Sequence, residues 1–146
     1  MIYFDTSFLV PLFLPEATSR RVQQVIGQHQ PEELVTSHWT RVEFSSMLAR
    51  EVRAGGLTEQ AARDADVQFE VTLAQSFTIV LPDGRDFDLC KSYIQRFETA
   101  LRAPDALHLA IAANRRAETL YTLDKKLIGA GRLLGLPISL AVRNRA

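Results

Sequence analysis

Five short apolar runs, at residues 2–4, 34–37, 77–81, 120–122 and 138–140, are separated by longer segments in which apolar residues recur at helical spacing. That alternation constrains the chain more than any other feature. Strands buried on both faces read as continuous apolar runs, and strands joined through helices pair in parallel. The expected architecture is therefore α/β, with three layers: helices on both faces of a short, mainly parallel central sheet. At 146 residues the chain is expected to form one domain over 1–146, large enough to bury its own core. No repeat, low-complexity tract or linker-like shift in composition divides it.

The helices follow from their punctuation. Ser7 is placed to cap a helix reaching residue 14, shortened by Pro11. Residues 16–28 read as a helix with Val22, Val25 and Ile26 on one face. A helix over 38–54 takes Val42, Leu48 and Val52 as apolar positions and is stopped by Gly55 and Gly56. Thr58 caps a long helix reaching residue 75, and a further helix covers 87–98. Pro104 suits the first position of a helix running to 116, because its missing N–H has no partner there anyway. Residues 125–134 form the last helix.

Hydrophobic residues make up 47% and charged residues 23%, a balance that suits a globular core. No apolar run approaches the roughly 18 residues that span a bilayer. The apolar stretch at 8–14 lacks a basic leader and a small-residue cleavage site, so it reads as core or groove helix rather than signal peptide. The single cysteine, Cys90, rules out a disulfide within the chain and reads as a buried thiol. A cytoplasmic location is expected. Seventeen basic residues balance seventeen acidic ones, so net charge alone does not advertise nucleic-acid binding. Gathering four acids into one pocket, however, would leave the remaining surface with an excess of four positive charges.

Four acids hold matching places in this scheme. Asp5 ends the first strand, Glu43 lies in the first turns of the helix after the second strand, Asp105 opens its helix, and Asp124 follows the fourth strand. Ligands of open parallel sheets bind at the carboxyl ends of the strands, so all four can face one crevice. Clustered carboxylates repel one another, and a hard cation removes the conflict. Oxygen-only ligation selects Mg²⁺, with Mn²⁺ able to substitute, over zinc. Such a centre activates water and stabilises charge on a phosphate, which makes phosphodiester hydrolysis the natural chemistry. Taken singly, each acid has a structural alternative. Asp5 and Asp105 suit helix N-termini, Glu43 an exposed helical face, and Asp124 a turn.

Neighbouring residues carry secondary expectations. The hydroxyls of Thr6 and Thr122 stand beside two of the acids and can bond the carboxylates or a phosphate. His108 lies three residues after Asp105, on nearly the same helical face. It reads as a packed, hydrogen-bonded core histidine rather than a ligand, since oxygen ligands suffice. Arg41, Arg50, Arg53, Arg102, Lys125 and Lys126 lie in or near these segments, where some can hold phosphates. Phe8, Leu9, Leu12 and Phe13 form an unusually apolar helix. Half must be core, and a residual exposed stripe would be a groove for a partner helix.

The local sequences around the acids are similar to those of a known family. Ile2-Tyr3-Phe4-Asp5-Thr6-Ser7 resembles the opening of a PIN domain, and Arg41-Val42-Glu43-Phe44 its helix bearing the second acid. Ala103-Pro104-Asp105-Ala106-Leu107-His108-Leu109-Ala110 resembles the third motif, the most specific of the set. Leu120-Tyr121-Thr122-Leu123-Asp124-Lys125-Lys126-Leu127, followed by Gly135-Leu136-Pro137, resembles the fourth. Compact PIN proteins of this kind are similar to the VapC-type toxins of prokaryotic toxin–antitoxin modules. The resemblance implies a Mg²⁺-dependent endoribonuclease that dimerises, is held in check by a small antitoxin, and acts on targets such as transfer or ribosomal RNA. It further implies that Asp5 and Asp105 ligate the metal directly. Glu43 and Asp124 would ligate directly or through water, or position the attacking water. In these toxins the antitoxin occupies a groove like the one assigned to Phe8, Leu9, Leu12 and Phe13 and can reach an arginine into the acidic pocket.

Three rival readings are weaker. A haloacid-dehalogenase-type phosphatase needs an acid two residues after its first aspartate, where this chain has Ser7. A response-regulator receiver needs an acidic pair at the end of its first strand, where this chain has one acid. A PIN-like binding module without activity would have lost an acid, and all four are present. A PIN nuclease of RNA maturation remains an alternative, although such enzymes usually carry extra domains.

Overall fold

The computed structural model describes residues 1–140. Strand β1 (Ile2–Phe4) opens the chain and passes into a single helical turn, α1 (Thr6–Leu9), which tightens into a 3-10 turn over Val10–Leu12 at Pro11. Then follow α2 (Ser19–Ile26), β2 (Leu34–Ser37), α3 (His38–Arg53), α4 (Glu59–Ser76), β3 (Thr78–Val80), α5 (Gly84–Gln95), α6 (Ala103–Asn114), β4 (Thr119–Tyr121), α7 (Lys125–Leu133) and β5 (Ile138–Ser139). The strands form one parallel sheet in the order β3-β2-β1-β4-β5. The expected α/β/α architecture is what forms. No helix of the described residues is long and apolar enough to cross a membrane.

The order of strands fixes where a ligand can sit. From β1 the chain winds outward through β2 to β3, then returns to place β4 on the other side of β1. The two connections leave β1 and β4 in opposite directions, which opens a crevice at their carboxyl ends. Phe4 pairs with Tyr121 there, and the amide of Asp5 extends the ladder to the Tyr121 carbonyl at 3.2 Å.

Alternation along β1 divides the core. Ile2 and Phe4 point into a cluster with Phe8, Leu9, Val22, Leu34, Phe44, Leu48, Phe69 and Leu73. Tyr3 points to the opposite face, among Val35, Leu107, Leu109, Ile111, Leu120 and Leu127. Thus α1–α4 cover one face of the sheet and α5–α7 the other. Phe44 and Phe69 stack with ring centroids 4.0 Å apart, and Phe13 meets both edge-on.

Helix ends show where local chemistry overrode the sequence expectations. Asp5, not Ser7, caps the first helix, accepting the Phe8 amide at 2.9 Å. The helix expected from residue 16 starts at Ser19, and the one expected from residue 87 starts at Gly84. In the latter, Asp83 and Asp86 form a reciprocal capping box, which sets the earlier start. At the end of α3, Gly55 takes φ +80° and the amides of Gly55 and Gly56 fold back onto Val52 and Glu51. The closure after α6 has the same shape but puts Arg116 at φ +53°, a conformation that suits glycine better.

A buried ion pair locks α5 onto α6. The fully buried Asp86 accepts Arg115 Nη1 on both oxygens at 2.9 Å, Asn114 Nδ2 at 2.8 Å and the Asp83 amide at 3.0 Å. Because α6 carries two residues of the site, this clamp also fixes the site's position.

Candidate active site

All four acids line one pocket of about 260 Å³ at the carboxyl edge of the sheet. Asp5, Glu43, Asp105 and Asp124 share it with Thr6, Ser7, Arg50 and His108. The switch point supplies Asp5 and Asp124, from the ends of β1 and β4. The first turns of α3 and α6 bring Glu43 and Asp105 over it.

Asp5 performs its structural alternative and still faces the pocket. Its Oδ1 accepts the Phe8 amide and the Ser7 hydroxyl, at 2.9 and 2.8 Å, and its Oδ2 accepts the Thr122 hydroxyl at 2.5 Å. Burial pushes its carboxyl above the usual carboxylate range, against the charge of His108 and these three bonds. Asp124 likewise caps α7, its Oδ1 accepting the Lys126 amide at 2.8 Å and the Leu127 amide at 3.4 Å. Thr122 and Ser7 stitch the two aspartates together. Thr122 Oγ1 also accepts the Asp124 amide at 3.0 Å, and Ser7 Oγ accepts the Leu123 amide at 3.0 Å. Sequence reasoning gave Ser7 only a capping role. The signal available was its place two residues beyond the first acid.

Glu43 is held from two sides. Its Oε1 accepts the Thr6 hydroxyl at 2.6 Å and makes a short contact with His108 Nε2. Burial opposes its charge, but the hydrogen bond and charge of His108, with the Thr6 hydroxyl, prevail and hold the carboxyl below its ordinary range. His108 is itself buried, with its Nδ1 bonded to the Tyr3 hydroxyl at 2.8 Å, and that hydroxyl donates to Ser37 Oγ at 3.0 Å. Burial works against a charged imidazole here, yet Glu43, Asp5 and Asp105 together raise its affinity for the proton. The expected packed, hydrogen-bonded histidine is therefore found. Its partner is an acid of the site.

Asp105 is the acid that feels the crowding most plainly. Burial raises its pKa first, then the charges of Asp124, Glu43 and Asp5, with only His108 opposing them. The donor set offers oxygen from four carboxylates and suits a hard cation. No three acid or histidine groups among the described residues converge closely enough to enclose an ion by themselves. In its chemistry the set fits a hard cation such as Mg²⁺, which is commonly held by one or two carboxylates and keeps several waters. It does not fit a dedicated all-protein cage.

Other expectations are sorted by position. Arg50 lines the pocket, and Arg102 and Lys126 line a neighbouring groove. Arg41 is bound to Glu70 at 3.0 Å, away from the acids, while Arg53 and Lys125 line neither cavity. Of the groove assigned to Phe8, Leu9, Leu12 and Phe13, the half expected to be core is Phe8 and Leu9. Phe8 and Leu9 are fully buried between β1 and the helices, so they present no surface to a partner. Leu12 and Phe13 are partly buried, packed against the same core.

An all-parallel α/β/α sheet with a carboxylate pocket at its switch point defines a class of small domains with an acidic centre. The chain belongs to the PIN-domain family, whose sequence model matches residues 2–133. Several solved structures share the fold. FitAcB from Neisseria gonorrhoeae superposes with a TM-score of 0.75 at 18% identity, covering 97% of this chain and 98% of that one. VapC20 of Mycobacterium tuberculosis, described as a sarcin-ricin loop cleaving toxin, gives 0.64 at 19% identity over 90% and 95% of the two chains. A toxin–antitoxin complex from Klebsiella pneumoniae gives 0.66 at 22% identity over 97% and 98%. A comparison with curated protein sequences finds no significant match.

Proposed function

We propose that this PIN-domain chain is a Mg²⁺-dependent endoribonuclease and the toxin of a toxin–antitoxin pair. The observation that carries the reading is the convergence of Asp5, Glu43, Asp105 and Asp124, from four separate elements, on one pocket. The toxin–antitoxin assemblies among its structural neighbours support a small antitoxin as partner. A homodimer belongs to the same reading, and light scattering tests it.

When bound, Mg²⁺ would polarise a phosphate oxygen and lower the pKa of a water. Asp5 and Asp105 are the residues that would hold it, with Asp124 contributing the oxygen that does not cap α7. Thr122 and Ser7 orient Asp5 by hydroxyl donation, so that side chain needs no rearrangement when charge develops. Glu43 commits Oε1 to Thr6 and His108, which leaves Oε2 to accept a hydrogen bond from an attacking water and orient it. Arg50, on the pocket wall, is placed to meet a phosphate oxygen.

The test is cleavage of total RNA by purified protein with and without Mg²⁺, alongside Asp5→Asn and Asp105→Asn. Metal-dependent cleavage that both substitutions abolish supports the reading. Cleavage by a well-folded variant moves the site elsewhere. Cleavage unaffected by EDTA removes the metal from the mechanism.

A further inference from the structure

A chain of buried polar side chains runs behind the acidic pocket. Tyr3 stands in the middle of β1, fully buried between Ile2 and Phe4. A phenylalanine would fill the same space, whereas a hydroxyl at that depth needs partners. It has two. The hydroxyl donates to Ser37 Oγ at 3.0 Å, and its oxygen lies 2.8 Å from His108 Nδ1. Because the hydroxyl hydrogen goes to Ser37, the Tyr3 oxygen is left to accept the Nδ1 proton. The opposite nitrogen, Nε2, meets Glu43 Oε1, with Thr6 Oγ1 at 3.3 Å beside it. The imidazole is thus bonded at both nitrogens, and turning the ring would break both bonds.

Ser37 is diverted from its ordinary work to anchor this chain. It is the N-cap of α3, with extended backbone at φ −128° and ψ 164°. A serine there usually accepts an amide of the first turn. Its side chain makes no such bond, and the buried hydroxyl serves Tyr3 instead. Helices α1 and α7, which also start beside the pocket, are both capped by side chains, those of Asp5 and Asp124. The helix that carries Glu43 is the one that forgoes its cap. The chain also joins the two layers of the fold. Tyr3 belongs to the core under α5–α7, Glu43 to a helix on the other face, and His108 on α6 bridges them.

We infer that Tyr3 is a positioning residue for cleavage. Its hydroxyl fixes the His108 ring, the ring fixes Glu43 Oε1, and Oε2 is thereby aimed at the attacking water. The inference rests on the ribonuclease reading above and adds to it a residue that lies outside the pocket lining. The metal side of the site is held separately. Asp5 is oriented by Thr122, Ser7 and the Phe8 amide, none of which belongs to the chain from Ser37 to Glu43. Loss of the Tyr3 hydroxyl should therefore slow the chemical step and leave metal binding and substrate binding in place.

The experiment is steady-state cleavage of a labelled RNA with Mg²⁺ by wild type, Tyr3→Phe, Ser37→Ala, His108→Gln and the Tyr3→Phe/His108→Gln double variant. Mn²⁺ affinity is read by calorimetry beside it. Tyr3→Phe keeps the ring and its packing, and is expected to lower kcat about tenfold. KM and the Mn²⁺ Kd should stay within about twofold of wild type. Ser37→Ala, which removes only the anchor of the hydroxyl, should lower kcat by a smaller factor. With the imidazole gone, adding Tyr3→Phe to His108→Gln should change kcat by less than about twofold. In metal-free protein the ring ¹⁵N signals of His108, identified by their absence in His108→Gln, should shift in Tyr3→Phe at Nε2 as well as Nδ1. A kcat unchanged in Tyr3→Phe overturns the inference. So does a loss that multiplies in full on the His108→Gln background, which would make Tyr3 a packing residue. A loss of Mn²⁺ affinity as large as the loss of kcat also overturns it, by moving the effect to the metal side. If Tyr3→Phe does not fold, Ser37→Ala decides, and a kcat and an Nε2 signal both unchanged in it overturn the inference. Each of these results leaves the nuclease reading standing, whereas a wild type that cleaves no RNA overturns both.

Discussion

Asp5 caps a helix and, in the proposed mechanism, also holds the metal, and two substitutions separate the roles. Asp5→Ala deletes the acceptor of three hydrogen bonds in a site where the side chain is only 4% exposed. Loss of the cap costs about 1 kcal/mol. The Thr122 hydroxyl, fully buried, loses its acceptor at a cost of about 1–3 kcal/mol. Relief of a carboxyl whose pKa burial has raised offsets part of this. A net loss of about 2–3 kcal/mol follows. Asp5→Asn keeps an oxygen toward the Phe8 amide and Ser7 and discharges the buried group, so in EDTA its stability should fall within about 1 kcal/mol of wild type. Urea unfolding of the three proteins in EDTA measures this, with RNA cleavage in Mg²⁺ measured beside it. Both variants should lose cleavage, while only Asp5→Ala loses stability. Equal stability of Asp5→Ala and Asp5→Asn would refute the capping role and the hydrogen-bond reasoning behind it.

The other predictions test neighbouring parts of the same argument. Asp105→Asn should match or exceed wild type in melting temperature in EDTA. It should then gain less from millimolar Mg²⁺ than the roughly 2.7 kcal/mol that a hundredfold excess over Kd gives wild type. His108→Leu should lower kcat for RNA cleavage more than it weakens Mn²⁺ binding read by calorimetry, because Glu43, which faces the attacking water, loses its tether. His108→Gln, which keeps an N–H donor, should recover part of that kcat, and equal rates in the two would reduce His108 to packing. Arg115→Ala should cost about 3–5 kcal/mol in urea unfolding, since Asp86 stays buried without its partner. Arg116→Gly should raise stability by about 1 kcal/mol by relieving φ +53°.

The layered fold was legible because each strand lies in a short, largely apolar stretch and most helices carry their own punctuation. The convergence of the four acids was legible because a parallel sheet brings strand ends together wherever they lie in sequence. What stayed hidden depends on partners rather than patterns. Asp5 and Ser7 are both good caps, and the choice between them is made by how far β1 pairs with β4. That pairing continues to the amide of Asp5, which leaves Asp5 at the boundary. The burial of Phe8 and Leu9 could not be read from a helix of one turn, where periodicity has too few residues to define a face. His108 meets Tyr3 and Glu43 across 105 and 65 residues, and nothing local announces either contact.

The bond between Thr122 and Asp5 joins residues 117 positions apart, and it closes the crevice at the centre of the sheet. During synthesis Asp5 emerges early and Glu43 soon after, but the strand that completes their pocket is made late. A growing chain therefore carries its acids apart until β4 docks against β1. Under the ribonuclease reading proposed above, that order of strands delays the appearance of a working pocket. The centre assembles only when most of the fold is present.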